Sequence, residues 1–263
     1  MIQLPEDNVS DSSNKSFFEV YAHEYDLLTN AETRRVSHAR EVEAIIERTS
    51  PHQVLDAGCA TGLTARLFAE RGIEAVGIDR SREMIKQARS GAQSSGPPLS
   101  FITGEFEKLP RELDGQFDLI VCLANAIVGV ETAAGLRKAL RGFHRLLKPG
   151  GNLVIQMLNY LAVKEGVLRP IKASRHGDLV YERFNERRGR KVTMYVTRAD
   201  FGTQPAGLEV FRTDMDSFDI DLMIDEVQHA QFKRPRRFGN LMMTKRFSKN
   251  SPDLVLLASR PAG

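Results

Sequence analysis

A short apolar segment runs directly into a glycine-rich turn at Val54-Leu-Asp-Ala-Gly-Cys-Ala-Thr-Gly62. Gly58 and Gly62 allow the backbone to turn tightly and to approach a ligand, because a Cβ would collide with the ligand or forbid the turn. A second apolar segment ends in Asp79, 21 residues after Gly58, and an acid at about this distance suits the hydroxyl groups of a ribose. This spacing predicts a nucleoside-binding site where the first two strands end.

The acidic residue within this segment narrows the choice of ligand. Asp56 stands two positions before Gly58, and the turn does not match the G-x-G-x-x-G fingerprint of dinucleotide-binding proteins. A carboxylate at this place would repel a pyrophosphate, whereas it would attract a ligand that carries a positive charge and an amino group. The residues therefore favour a positively charged nucleoside.

Short apolar segments alternate with helical patterns along most of the chain. The pattern predicts strands at 52–58, 73–79, 99–103, 117–123, 152–159 and 253–259, and helices at about 17–28, 33–49, 62–71, 81–91, 131–147 and 216–229. Such alternation is typical of βαβ units in a parallel sheet that is covered on both faces. The segments 178–185, 190–200 and 206–213 look instead like strands joined by polar turns. We therefore expect an α/β, doubly wound, mostly parallel sheet with an antiparallel β insertion.

The composition and length of the chain indicate its cellular location and the size of its core. The chain has 263 residues, of which 41% are hydrophobic and two are cysteines, Cys59 and Cys122, without the spacing of a zinc site. On folding, a chain of this length buries about 73% of the surface that its unfolded form exposes, so it needs no disulfide or metal to be stable. Residues 1–16 are polar and lack the apolar core of a signal peptide, and no apolar run is long enough to span a membrane. We expect a mobile N-terminus, no membrane contact and a cytoplasmic location.

Five segments, in order, resemble the motifs of the class I S-adenosylmethionine-dependent methyltransferases: VLDAGCATG, GIDRSREMIKQAR, TGEFEKLP, FDLIVCLANAI and LLKPGGNLVI. The likeness covers roughly residues 17–160. It implies a seven-stranded Rossmann-like sheet and S-adenosylmethionine as the cofactor, converted to S-adenosylhomocysteine without a metal. It also implies cofactor contacts from these residues: Asp56, Gly58, Cys59, Ala60, Gly62, Asp79, Arg80, Met84, Glu105, Phe106, Cys122 and Leu123.

Within that superfamily the chain is most similar to the glycine and sarcosine N-methyltransferases. The likeness rests on the early pair Tyr25-Asp26 and on Asn125 after the fourth strand. It also rests on Asn159-Tyr160 after the fifth strand and on the antiparallel insertion that follows this second pair. It implies an amine acceptor positioned by Asn125 and Tyr25, with Tyr21 and Asn159 behind them, under a lid formed by residues 160–213. Residues 17–159 and 214–263 would form the core. Without the resemblance, the tyrosines also suit the face of an amphipathic helix, and Asn125 suits a turn cap.

Two positions depart from the enzymes that methylate glycine. Those enzymes carry an arginine before Asn-Tyr that holds the carboxylate of glycine, where this chain has Leu158, and a histidine where it has Gly129. Losing the arginine removes a strong, charge-assisted hydrogen bond. The expected acceptor is therefore a small-molecule amine other than glycine.

A basic stretch at 231–249 leaves other functions open, because it contains seven lysines and arginines and no acid. It suits an exposed edge strand, the attraction of an anionic substrate, or binding to RNA with Phe232, Phe238 and Phe247 stacked on bases. An RNA methyltransferase is thus one alternative, and a catalytically silent partner protein that binds the cofactor is another. The resemblance also implies a homo-oligomer, since the glycine enzymes associate.

Overall fold

The structure is a computed structural model that describes residues 17–91, 96–216 and 218–263. The predicted mobile segment 1–16 lies outside the described residues. The helices are α1 (Phe17–Val20), α2 (Tyr25–Thr29), α3 (Ala31–Thr49), α4 (Leu63–Ala69), α5 (Arg82–Ser90), α6 (Ala133–Leu146) and α7 (Ile220–His229). The strands are β1 (Gln53–Ala57), β2 (Glu74–Asp79), β3 (Leu99–Thr103), β4 (Phe117–Cys122), β5 (Leu147–Leu158), β6 (Arg169–His176), β7 (Leu179–Arg188), β8 (Lys191–Asp200), β9 (Gly207–Asp216), β10 (Arg236–Phe238) and β11 (Asp253–Ser259).

Seven strands form one sheet in the order β10-β11-β5-β4-β1-β2-β3. Strands β1 to β5 pair in parallel, whereas β11 runs antiparallel to both of its neighbours. The strand order reverses next to β1, which places the ends of β1, β2 and β4 around one crevice, where sheets of this kind bind ligands. The predicted doubly wound, mostly parallel fold is confirmed.

Apolar side chains cover the sheet on both faces. One buried cluster joins α6 and α7 to the sheet through residues such as Leu140, Phe143 and Val227. The other joins α3 and α4 to the opposite face through Val42, Phe68 and their neighbours. Because both faces are buried, the strands consist of nearly continuous apolar residues, as parallel strands do.

The insertion is a separate antiparallel sheet in the order β6-β7-β8-β9. Strands β7, β8 and β9 lie close to the three predicted segments, whereas β6 was not predicted. Pro170 near its start obscures the strand pattern, yet proline is tolerated there because β6 is an edge strand. The sequence pattern was therefore sufficient for the three other strands only.

The N-terminal segment packs on the inward face of this insertion. The helix predicted at 17–28 is wrong as a continuous element, because the chain forms α1, a 3-10 turn at Ala22–Glu24 and then α2. The break lets Tyr21 donate a hydrogen bond to Glu209 at 2.6 Å and lets Arg198 hold Glu24 with two hydrogen bonds of 2.8 and 3.0 Å. Tyr181 also donates to Glu24. These contacts outweigh the local preference for one helix.

The basic stretch 231–249 contains the edge strand β10. Arg236 and Arg237 are exposed on it, as is common for strands that must not pair with another chain. Phe232 and Phe238 are buried, and Phe247 packs against a core cluster. The aromatic residues thus stabilise the core, which favours the edge-strand interpretation. Among the described residues, no helix is both long and apolar enough to cross a membrane.

Candidate cofactor and acceptor site

The glycine turn after β1 lies against the end of β2. The N–H groups of Gly58 and Cys59 donate to the carbonyl of Ile78 at 2.8 and 3.1 Å. Gly58 has φ +81°, and a Cβ placed on it would lie 2.4 Å from the Cβ of Ala126. Only glycine fits here, so the turn brings bare backbone next to the loop that follows β4.

Asp79 ends β2 and holds the same turn with its carboxylate. Its Oδ2 accepts the N–H of Ala60 at 2.9 Å, and its Oδ1 accepts the N–H of Ser81 at 2.9 Å. Each carboxylate oxygen keeps a further lone pair for the hydroxyl of a ribose. Ala60 has φ 46°, a conformation that favours glycine, so the bond from Asp79 stabilises a strained position.

Asp56 lies beneath the turn and is 2% exposed. It accepts the N–H of Ala65 at 3.2 Å. Burial raises its pKa to about 7, although that hydrogen bond and the charge of Arg34 lower it. A positively charged ligand above the turn would favour the ionised carboxylate.

Four other predicted cofactor residues have buried side chains: Cys59, Met84, Cys122 and Leu123. Burial raises the pKa of both thiols, so they are protonated at neutral pH and unsuited to act as nucleophiles. Their contribution to a cofactor is therefore limited to shape and backbone atoms.

Gly62 is buried in the glycine turn, and the ring of Phe106 lies 3.3 Å from a Cβ built on Gly58, while Arg80 and Glu105 are more exposed. Glu105 is exposed and pairs with Lys108 at 2.9 Å, while Arg80 donates to the carbonyl of Gly129 at 3.1 Å. Phe106 packs edge-on against Phe143, with ring centroids 5.5 Å apart. A cleft of about 360 Å³ lies here, lined by Arg80, Arg82, Thr103, Gly104, Glu105 and Lys108.

The turn after β4 places Asn125. Ala124 and Asn125 have φ values of 51° and 68°, so two consecutive residues other than glycine are left-handed. The side-chain Oε1 of Gln156 accepts the N–H of Ala124 at 2.6 Å, and the main-chain carbonyl of Gln156 accepts the N–H of Asn125 at 3.2 Å. Such strain persists only where the surroundings enforce it, and it is common at functional sites.

The amide of Asn125 is fixed at both ends. Its Oδ1 accepts the N–H of Leu158 at 3.0 Å, and its Nδ2 donates to the hydroxyl of Tyr160 at 2.6 Å. Tyr160 is 5% exposed, and burial raises its pKa to about 12. The pair therefore offers a hydroxyl proton, one amide proton and an oxygen lone pair in fixed positions.

The other predicted catalytic residues have different surroundings. Burial raises the pKa of Tyr25, and the charges of Asp79 and Asp26 act on its hydroxyl, so it lies near the glycine turn. The hydroxyl of Tyr21 is bound to Glu209 on β9. Asn159 is 1% exposed and donates to the carbonyls of Lys249 and Ser251 at 2.9 and 2.8 Å. The structure thus brings Tyr25 to the cofactor side, while Tyr21 and Asn159 make anchoring contacts.

Sequence reasoning missed three residues at this site: Arg34, Gln156 and Tyr160. The Nε of Arg34 is buried without a hydrogen-bond partner among the described residues, and its charge lowers the pKa of Asp56. The double arginine Arg34-Arg35 looks like helix surface in the sequence, so no signal was present. For Tyr160, the pair Asn159-Tyr160 was the signal, but the side chain that contacts Asn125 belongs to its second residue.

These residues fit S-adenosylmethionine. An amino acid joined to a nucleoside by a sulfonium matches the bare backbone at Gly58, the carboxylates of Asp56 and Asp79, and Arg34, whose buried Nε has no partner among the described residues. Within residues 17–91, 96–216 and 218–263, no group of three His, Cys, Asp or Glu side chains is placed to hold a metal.

Comparison with known proteins agrees with this geometry. Residues 54–151 match the family described as "Methyltransferase domain". The glycine/sarcosine N-methyltransferase of Aphanothece halophytica is 27% identical over 158 residues, 60% of this chain and 60% of that protein. The ubiquinone biosynthesis O-methyltransferase of Pseudomonas paraeruginosa is 32% identical over 106 residues, 40% of this chain and 44% of that protein.

A solved structure extends the likeness over nearly the whole fold. An S-adenosylmethionine-dependent methyltransferase from Clostridium acetobutylicum superposes with a TM-score of 0.75 at 19% identity, covering 93% of this chain and 99% of that one. Residues 54–151 thus match a methyltransferase domain, and the fold is that of a solved S-adenosylmethionine-dependent methyltransferase. The predicted resemblance is confirmed. The alignments span 60% or less of the length of the two curated relatives named above.

Proposed function

We propose that this protein transfers a methyl group from S-adenosylmethionine to a small-molecule acceptor, most simply to an amine nitrogen. Asp79, Asp56, Arg34 and the backbone at Gly58 would hold the cofactor, and Asn125 with Tyr160 would hold the acceptor. The insertion, residues 160–213, would cover both ligands as a lid.

One observation carries this proposal, namely the strained turn at Ala124 and Asn125 beside the glycine turn. A Cβ on Gly58 would touch Ala126, so the loop that contains Asn125 lies directly next to the protein backbone that would contact the cofactor. The left-handed backbone at Asn125 places its side chain between Leu158 and Tyr160, and hydrogen bonds to both residues hold the amide there. Positioning of this kind is what a direct displacement requires.

The bound cofactor supplies an electrophilic methyl group on a positively charged sulfur. The protein must align the acceptor lone pair with that carbon and exclude water. The Oδ1 of Asn125 can accept an N–H of the acceptor through its second lone pair, and the hydroxyl of Tyr160 can donate to a neighbouring oxygen. Neither group can take up a proton near neutral pH. The amide of Asn125 is not basic, and the hydroxyl of Tyr160, with a pKa of about 12, already carries its proton. An amine acceptor must therefore arrive unprotonated.

The names of the relatives support methyl transfer but differ in the acceptor atom. One is called a glycine/sarcosine N-methyltransferase and the other a ubiquinone biosynthesis O-methyltransferase. The choice of nitrogen rests on the polar pair Asn125–Tyr160, because an amide oxygen binds an amine N–H and leaves the lone pair free.

Replacement of Asn125 tests the proposal. Asn125→Ala should lower methyl transfer to low-mass acceptors of a cell extract by about 10- to 100-fold, because an acceptor displaced by about 1 Å reacts that much more slowly. The affinity for S-adenosylhomocysteine, measured by calorimetry, should stay within about twofold. Tyr160→Phe keeps the ring and should give a smaller loss.

Two results would contradict this assignment. An equal loss of transfer and of S-adenosylhomocysteine affinity in Asn125→Ala would place Asn125 in the cofactor site. Unchanged transfer in both variants would remove the pair from the acceptor site.

A further inference from the structure

At the inward face of the insertion lies a group of cations for which the described residues provide no carboxylate partner. Arg183 on β7 pairs in register with Lys172 on β6 and Val196 on β8. Val196 is buried in the cluster that joins the insertion to the N-terminal segment. Arg183 therefore lies on the same face, which is the face toward the candidate site.

Three positive charges meet at this place. The pKa of Lys172 is lowered by burial and, after that, by the charges of Arg183 and Arg34. The charges of Arg183 and Arg34 also act on the hydroxyl of Tyr25, as does that of Asp79. Arg34 and Arg183 thus lie within electrostatic range of Lys172 and of the hydroxyl of Tyr25.

The buried nitrogens of this group lack partners. The Nε atoms of Arg34 and Arg183 are buried and make no hydrogen bond with any described residue. Lys172 donates to the carbonyl of Thr29 at 2.9 Å, which leaves its charge uncompensated. A buried guanidinium nitrogen without an acceptor is costly, so the arrangement is that of a site completed by a ligand.

The cofactor can neutralise only one of these cations. Its single carboxylate suits Arg34, which lies near Asp56 at the glycine turn. Arg183 and Lys172 belong to the insertion and remain for a second anion. An arginine beside a lysine binds an oxyanion strongly through charge-assisted hydrogen bonds.

A second polar group lies on the same face of the same strand. Asn185 is 3% exposed, and its Oδ1 has no hydrogen-bond partner among the described residues. It stands two residues after Arg183, which separates the two positions by about 6.6 Å along a strand. An unpaired oxygen accepts an N–H or O–H donor, so one molecule could bind both residues.

We propose that Arg183, with Lys172, binds an oxyanion of the methyl acceptor, a carboxylate or a phosphate, and that Asn185 accepts a hydrogen bond from the same molecule. The inference rests on the proposed function, because it assigns the acceptor to this site. It makes Arg183 a residue that determines specificity.

The test measures oxyanion binding to protein saturated with S-adenosylhomocysteine, so that the cofactor site is filled. The unfolding midpoint is recorded while acetate or inorganic phosphate is added at constant ionic strength, since a ligand of the folded state raises it. Arg183→Gln should weaken the binding of the preferred anion by about tenfold or more. Arg175→Gln is the matched control, because Arg175 is an exposed arginine of the same sheet, and it should bind as the wild type does.

Several results decide the matter. Tighter binding of acetate or of phosphate, lost in Arg183→Gln alone, supports the site and identifies the anion as a carboxylate or a phosphate. An unchanged response in Arg183→Gln, or an equal loss in Arg175→Gln, would overturn it. Weaker S-adenosylhomocysteine binding with an intact anion response would assign Arg183 to the cofactor instead.

A second variant guards against a folding defect. If the circular dichroism of Arg183→Gln departs from that of the wild type, Lys172→Met replaces it with the same expected loss. The readout needs no turnover, so this inference can fail while methyl transfer is observed, and the reverse also holds.

Discussion

At the residue scale, Asp79 provides the most direct test of the proposed cofactor site. Its carboxylate accepts two backbone N–H groups at the end of β2 and faces the turn that would carry the ribose. Asp79→Ala should weaken S-adenosylhomocysteine binding by about 1–3 kcal/mol, because polar groups lose their partners. Calorimetry measures this loss. Glu74→Ala, at the exposed opposite end of the same strand, should leave the affinity unchanged, and equal effects of both variants would refute the assignment.

Asp56 predicts how cofactor binding responds to pH. Its pKa is raised to about 7 by burial, so the free protein holds a proton there below that pH. The ammonium group of S-adenosylhomocysteine, whose sulfur is uncharged, would favour the ionised form, so that binding releases the proton. Affinity for S-adenosylhomocysteine should rise from about pH 6 to about pH 8 by up to about tenfold. The same shift means that the free protein loses stability as the pH rises from about 4, where an unfolded aspartate ionises, to about 7, where Asp56 ionises in the folded state.

Asp56→Asn separates this effect from other titrations, because the amide keeps the shape and cannot ionise. In that variant the dependence of affinity on pH should disappear, as calorimetry at both pH values would show. If the variant keeps the dependence, another group is responsible.

Residues in continuous motifs were predictable, and residues brought in from elsewhere were not. Gly58, Asp79 and Asn125 each lie at the end of a strand or just after it, so their position at the sheet edge could be inferred from the order of elements. Arg34 and Arg183 lie on a helix and on an inserted strand, where basic residues are usually exposed. Only the folded chain shows that both have buried nitrogens.

At the scale of elements, buried side chains and ionic hydrogen bonds join the N-terminal segment to the insertion. Arg198 on β8 holds Glu24, which is 8% exposed. Arg198→Met leaves this carboxylate without its cationic partner, with only the hydroxyl of Tyr181 still donating to it, and should lower the free energy of unfolding by about 3 kcal/mol. Urea denaturation gives the value.

A matched surface pair provides the control. Arg35 and Glu70 form an ion pair in which both side chains are nearly half exposed. Arg35→Met should cost less than about 1 kcal/mol, since solvent screens such pairs. Similar losses for the two variants would mean that Arg198 does not stabilise the contact.

The break in the helix predicted at 17–28 has the same cause. Local periodicity favours one amphipathic helix, but Tyr21 and Glu24 find hydrogen-bond partners on β8 and β9, more than 150 residues away in the chain. Contacts between residues so far apart in the chain cannot be predicted from the local sequence pattern. The strand β6 was likewise not predictable from its local sequence. The βαβ alternation, by contrast, depends on local pattern and was sufficient to predict the main sheet.

At the scale of the whole molecule, the proposal combines a methyltransferase core with an inserted sheet whose inward face is polar and positively charged. The core explains binding of the cofactor, and the insertion explains a choice of acceptor. The basic stretch 231–249 adds the one feature that suits a nucleic acid, yet two of its phenylalanines are buried. The acceptor is thus the property that most requires a measurement.

The most direct test uses S-adenosylmethionine labelled on its methyl group, with the purified protein and a cell extract. The label is then separated into low-mass, RNA and protein fractions. The account predicts label in the low-mass fraction, reduced in Asn125→Ala, and the mass of the labelled compound identifies the acceptor. Label in RNA, or no transfer despite tight cofactor binding, would contradict it.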